Sequence, residues 1–499
     1  MRKFTKMWAA ALCALFAGTV QAEDYVWKYV TAGDATTLAI RSDGSLWSWG
    51  WNEKGQAANG VSERSAIPTL ADASRTWKKA VSGKAYSFAL ADDGSLWASG
   101  TGENGVQGTG DGLAHKVLTR IGTDNDWADV ACSRFWGYCG FAIKTNGTLW
   151  AWGENTAGQL GIGNMQSQIL PVQVGTDTDW KQVAAGAASV LGVKTDGSLW
   201  GWGLNMNGEV FGHEGKQLSP VRLGDATDWA SVTVIDYRVY AVKTDGTLWA
   251  WADNSKNLLG FNSGTQGETT SEGNPVEVVT EGKVAEPRQV TAIEGNVLVV
   301  SGCENTLSVG TGKDGIIDQV WMLGSNTDGA LGDGNGLGNG SKDIPFATVP
   351  VHPSLRSSLQ FAGMSSGQNY TMMLTTDGDI WGWGCNRGGQ LGDETRSDQL
   401  QVAYEVKPTL INCPQDEVGL SVADVKGKAA AAVAFDGQAL SIQADGRLTS
   451  AVVYGMDGQA VMILPVSASS WDVSALAPGV YVARFVVDGA AVTCKFAAE

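Results

Sequence analysis

Apolar residues along this chain fall in short runs separated by turns at regular spacing. In one stretch, Trp127-Ala128-Asp129-Val130 opens a unit and Phe141-Ala142-Ile143-Lys144 reads as a strand. Thr145-Asn146-Gly147 follows as a hairpin turn, because Asn-Gly supplies the positive φ values that tight turns need. Leu149 to Trp152 is the returning strand, Asn155 to Gly161 a second turn, and Pro171 to Val174 a short outer strand. This is four short strands in about 50 residues, the grain of an all-β fold.

The unit repeats. Ser42-Asp43-Gly44-Ser45-Leu46-Trp47-Ser48-Trp49-Gly50 returns in seven copies, with first Trp or equivalent at 47, 97, 150, 200, 249, 321 and 381. A four-stranded unit of this size cannot bury both its faces alone. Radial packing around an axis solves the problem and leaves few edges. Trp47 and Trp49 share one side of their strand and Leu46 takes the other, so both sides are apolar, as a strand between two neighbouring sheets requires. Of 21 Trp, 12 lie in these strings and five open repeats, so most Trp belong to the core rather than to a ligand platform.

The string Asp-Gly-x-Leu-Trp-x-Trp-Gly-x-Asn-x-x-Gly-Gln-Leu-Gly resembles the regulator of chromosome condensation repeat in its Trp-rich bacterial form, over about residues 25–412. The resemblance implies a seven-bladed β-propeller for residues 23–413. Three copies depart from it: Ser99 stands for the second Trp in the second, Ala252-Asp253 for Gly in the fifth, and the sixth lacks the Asp-Gly turn. Inserts near 262–287 and 301–318 make the fifth and sixth repeats the irregular sector.

After Cys413-Pro414 the pattern changes to Ala- and Val-rich alternation. Val452 to Val461 reads as strand, turn, strand; Trp471 to Arg484 as turn and strand; Val492 to Phe496 as a last strand. A small Ig-like β-sandwich is expected. Tyr454-x-Met456-x-Gly458-x-x-Val461, Leu476-x-x-Gly479-Val480-Tyr481-x-x-Arg484 and Lys495-Phe496 resemble the C-terminal sorting domain of the type IX secretion system of Bacteroidetes, over residues 416–499. That implies passage through the outer membrane with the secretion machinery as partner.

Residues 1–22 read as a removable signal peptide: basic Arg2, Lys3 and Lys6, an apolar run from Met7 to Gly18, then Val20-Gln21-Ala22. The run is too short to span a bilayer, and no later segment is long and apolar enough. The expected location is outside the inner membrane, secreted or at the cell surface. A net charge of −17 repels phosphate backbones and argues against nucleic acid. Beyond Cys13 there are six Cys, and Cys132 and Cys139 are close enough in sequence to pair.

Nothing in the sequence assembles an active site. His115, His213 and His352 stand in loops of different repeats, and no Gly-rich phosphate loop with a following Lys occurs. No cofactor or metal ligand set is expected. Asp333 to Gly340 offers alternating oxygen ligands for calcium but has Ile344 at the twelfth position, and it reads equally as an extended repeat turn. The informative feature is the loop before the second strand of each repeat. These loops carry Tyr86; Arg134, Phe135, Trp136 and Tyr138; Tyr237, Arg238 and Tyr240; and Tyr370. Tyr, Trp and Arg dominate binding hot spots, so these residues are expected on a partner-binding rim, with a Cys132–Cys139 bridge stiffening the longest loop. Bacterial members of the resembled family that inhibit β-lactamases carry aromatics on the equivalent loops. The chain is thus read as a protein-binding scaffold rather than an enzyme. A glycan-binding module is the alternative, and guanine-nucleotide exchange rests on fold analogy alone.

Overall fold

The computed structural model describes residues 25–134, 137–262, 281–334, 346–393, 404–414, 431–435, 439–444, 447–455, 460–477, 479–487 and 490–498. The expected signal peptide, Phe135 and Trp136, and positions 335–340 of the calcium reading lie outside them. Among the described residues every regular element is a strand, apart from one 3-10 turn at Glu103–Gly105. The chain forms two compact units, Tyr25–Pro414 and a second that includes Gln415–Glu499.

The first sheet of the larger unit is antiparallel and in chain order: Trp27–Ala32, Thr36–Arg41, Leu46–Gly50 and Ser65–Asp72. The same order recurs in sheets opening at Trp77, Trp127, Trp180 and Trp229. The sixth and seventh repeats share one eight-stranded sheet, whose halves open at Val297 and Phe361 and meet through the single pair Ile317–Phe361.

The Asp-Gly-Ser/Thr-Leu-Trp string folds as it does because its polar atoms form a relay. Asp93 Oδ1 accepts from the amide and hydroxyl of Ser95, and Ser95 Oγ accepts from Trp97 Nε1 at 2.8 Å. The relay returns at Asn146-Thr148-Trp150, Asp196-Ser198-Trp200 and Asp245-Thr247-Trp249. The Ser95 bonds hold the Asp93 carboxyl below its ordinary range. A cation finishes the corner. Lys144 Nζ lies 2.6 Å from Asp124 and over the Trp127 and Trp150 rings, and Lys194 repeats this with Asp177, Trp180 and Trp200.

Apolar clusters lie between successive repeats. Phe141, Val190 and Trp202 join the third to the fourth, and Leu191, Val239 and Trp251 the fourth to the fifth. A further cluster packs Trp27 and Trp49 against Tyr370, Met372 and Leu391, closing the seventh repeat on the first. Trp27 N also donates to the Gly378 carbonyl, and Arg41 Nη1 to the Pro414 carbonyl at 2.9 Å. Among the described residues no sheet borrows a strand from the other end of the chain, so side-chain packing and a few hydrogen bonds close the ring.

The second Trp of each string is the deeper one. Trp49, Trp152, Trp202, Trp251 and Trp383 are fully buried, and each Nε1 donates to a carbonyl of the preceding repeat, as Trp152 does to Val106 at 2.8 Å. The first Trp of each string is half-buried. Where Ser99 replaces the deep Trp, the hydroxyl of Ser87 takes the orphaned carbonyl of Gln56 at 2.8 Å.

In the smaller unit, Ala431–Phe435, Ala439–Ala444 and Ser470–Asp472 form one sheet. Ala460–Ile463, Leu448–Gly455, Gly479–Val487 and Ala490–Ala498 form another, in that order. Leu440, Ile442, Val453, Trp471 and Phe485 build a core shared by the two sheets, with the Trp471 and Phe485 rings stacked at 5.5 Å.

Candidate partner-binding site

Antiparallel order puts the loops after the first and third strands of every sheet at one end, and the Asp-Gly turns at the other. At the first end the innermost loops, 33–35, 83–85, 186–188, 236–237, 304–305 and 368–369, surround the axis together with residues 133–134 and 137–138 of the third repeat. They nest backbone on backbone. Gln368 N donates to Asp34 O at 3.0 Å, Asp34 N to Gly83 O at 3.4 Å, and Ala187 N to Asp236 O at 3.1 Å. A Cβ on Gly83 would meet the Tyr86 ring at 2.5 Å and the Ser133 carbonyl at 3.0 Å, which explains the recurrence of Gly at the end of the first strand.

Below this mouth the inner strands are laced together. Ser365 Oγ accepts from Ala32 N, Tyr29 donates to the Ala80 carbonyl, Lys79 pairs with Asp129 at 2.5 Å, and Gln182 bonds both polar backbone atoms of Val232. The lacing makes the mouth a rigid frame.

The frame changes the standing of several expected rim residues. Tyr86, Tyr240, Tyr370 and Arg238 are buried struts, not rim residues. Tyr86 Oη donates to Ser133 O at 2.7 Å, Tyr240 to Leu258 O at 2.7 Å and Tyr370 to Thr36 O at 3.1 Å. Arg238 Nη2 donates to Cys303 O at 2.7 Å and Glu304 O at 3.0 Å. Each is the first or third residue of its second strand, where the side chain points into the seam between repeats. Tyr138, Tyr237 and Arg134 are half-buried at the mouth, and Phe135 and Trp136 lie outside the described residues.

The Cys132–Cys139 bridge is not formed, and both thiols are free. Cys132 pairs with Gly140 in the ladder, so Cys139 points to the opposite face. Cys132 packs with Tyr86 and Trp152, Cys139 with Phe141 and Trp202. Burial pushes both thiols up to about 12.

The mouth also holds carboxyls that the sequence reading passed over. Burial raises Asp34 to about 6, with Lys84 opposing. Burial likewise raises Asp236 to about 6, with Arg238 opposing. Neither Asp236 oxygen has a hydrogen-bond partner, and the closest approach of Arg238 is 3.8 Å. Around Tyr138, burial and then Glu103 raise the phenol, with Glu154 and Asp34 adding to it. The local signal for these residues is their register after the first strand of each repeat. The three His are dispersed: His115 on Asp111, His213 on the Arg222 carbonyl, His352 on the Val320 carbonyl at 2.7 Å. Among the described residues no three His, Cys, Asp or Glu side chains come together as a metal site.

Comparison with known proteins agrees with this architecture. Models of the regulator of chromosome condensation (RCC1) repeat match residues 43–90, 146–193 and 377–427, and a second model of the repeat matches 27–56, 180–209 and 361–390. Human Protein RCC2 is 37% identical over 141 residues, 28% of this chain and 17% of that protein. The Ultraviolet-B receptor UVR8 of Arabidopsis thaliana is 27% identical over 187 residues, 37% of this chain and 42% of the receptor. The chain thus spans less than half the length of these curated relatives. Yeast RCC1 (Prp20), solved bound to Kap60, superposes with a TM-score of 0.58 at 15% identity, covering 77% of this chain and 85% of that one. The chain carries regulator of chromosome condensation repeats, and its larger unit has the RCC1-like β-propeller fold.

Proposed function

We propose that residues 25–414 form a seven-bladed propeller that binds a protein partner at the mouth described above, through Phe135, Trp136, Tyr138 and Tyr237. The observation that carries this reading is the half-buried Tyr138, a large amphipathic ring among Glu103, Glu154 and Asp34 on a laced frame. A rigid frame lowers the ordering cost of association. The yeast protein of the same fold has Kap60 as a partner in its solved complex. The reading extends to delivery. Residues 1–22 act as a signal peptide and residues 416–499 as a sorting module, so the propeller works at the cell surface or beyond it. No catalytic step is assigned.

The test is capture of a partner from surface extracts by the mature chain. Trp136→Ala should lower affinity roughly thirtyfold, equivalent to about 2 kcal/mol for a hot-spot aromatic, and leave the melting temperature almost unchanged. Undiminished capture by Trp136→Ala, Tyr138→Ala and Tyr237→Ala would overturn the mouth as the binding face.

A further inference from the structure

The 133–138 loop is longer than its counterpart 186–188 in the next repeat. Arg134, at the start of that loop, reaches across the axis. Arg134 Nη1 donates to the Ser366 carbonyl at 2.9 Å and lies 3.3 Å from Ser301 Oγ, so a side chain of the third repeat bonds the seventh and the sixth. The two acceptors already stand together, because Ser366 N donates to Ser301 Oγ at 2.8 Å. The base of the loop is fixed from the other side. Tyr86 holds the Ser133 carbonyl at 2.7 Å and the Gly137 carbonyl at 3.2 Å, and the Ser133 hydroxyl bonds Gly137 O. A guanidinium suits this position because its planar fork offers several donors at fixed angles, which an ammonium does not.

We propose that Arg134 is a latch across the axis that ties the third repeat to the sixth and seventh repeats. It is a positioning residue for the loop, turned inward, and not a contact to the partner. Its consequence rests on the partner-binding reading: a partner seated on Tyr138 is held against bonds anchored on the far side of the ring. The latch itself is a property of the free protein and is tested there.

The experiment is hydrogen–deuterium exchange of the mature full chain without partner, comparing wild type with Arg134→Ala and Arg134→Lys. The Ala variant should raise exchange tenfold or more in peptides covering 301–302, 365–367 and 137–140, with peptides over 115–120 unchanged. Arg134→Lys should restore protection only in part. If Arg134→Ala fails to fold, Ser301→Ala removes one acceptor and should give an intermediate rise over 365–367 and 137–140. Exchange within twofold of wild type over 301–302 and 365–367 in Arg134→Ala, or over 365–367 in Ser301→Ala where that variant is used, would overturn the latch. Partner capture is read separately with Trp136→Ala, so failure of one reading is distinguishable from failure of the other.

Discussion

Four of the five deep Trp rings lie against a glycine of the preceding repeat, with Phe211 in that position against Trp251, and the glycine contact makes a quantitative prediction. Gly161 has φ +70, and a Cβ there would lie 2.8 Å from Trp202 Cδ1 and Nε1. The same contact recurs between Gly108 and Trp152, Gly332 and Trp383, and Gly392 and Trp49. The first repeat breaks the pattern twice over: Ala58 takes the position at φ 60, and the Trp it would meet is Ser99. A Cβ is tolerated where the ring is gone. Gly161→Ala should therefore destabilise by about 1–2 kcal/mol for the left-handed backbone and about 1–3 kcal/mol for overpacking, offset by about 0.5–1 kcal/mol of unfolded-state entropy. The net is about 3 kcal/mol. For a unit of this size that lowers the melting temperature by about 4 °C. Trp202→Ser should lose about 3–5 kcal/mol for the buried ring, with the Gln159 carbonyl left without its donor. In the double variant the overpacking component vanishes, so the two changes should couple by about 1–3 kcal/mol in the favourable direction. Chemical denaturation of the four proteins measures the cycle. Additivity within about 0.5 kcal/mol, or a neutral Gly161→Ala, would refute the contact as the reason for that glycine.

Other outcomes are open to direct measurement. Asp236 is raised to about 6 from 3.8, so the folded state holds a proton that the unfolded state releases between those values, and stability falls as pH rises through 6. About two pH units correspond to about 3 kcal/mol; Asp236→Asn, which also tolerates φ 53, should recover much of this at pH 7.5 and little at pH 4, and an equal gain at both would refute it. Intact mass of the mature chain should show Cys132 and Cys139 as thiols that alkylate once the protein is unfolded, and a bridge between them in peptide mapping would contradict their placement on opposite faces. Trp152→Ala should lower the melting temperature by several degrees, since the fully buried ring is worth about 3–5 kcal/mol; Trp150→Ala, half-buried between Lys144 and Trp127, should lower it less.

Much of the architecture was legible because it is local and repeated. The Asp-Gly-Ser-Leu-Trp relay closes within five residues, so a copy that carries it specifies its own hairpin through local bonds. Alternation then assigns Leu46 to one seam and Trp49 to the other without knowledge of the neighbours. The change of pattern after Pro414 is likewise a property of the string itself.

What only the tertiary structure decided is which side chains are left facing solvent. Tyr86 and Tyr138 read alike as loop aromatics, yet one is a buried strut and the other half-buried, because the next repeat supplies carbonyls to the first. Cys132 and Cys139 are neighbours in sequence but stand in different cores, since a hairpin ladder sends adjacent positions to opposite faces. Asp236 becomes a buried carboxyl without a hydrogen-bond partner, and Arg134 bonds residues more than 150 positions away, through distances set by ring closure. Repeats fix the blade from within, while the chemistry of the mouth depends on departures from the repeat that meet only when the first and seventh copies come together.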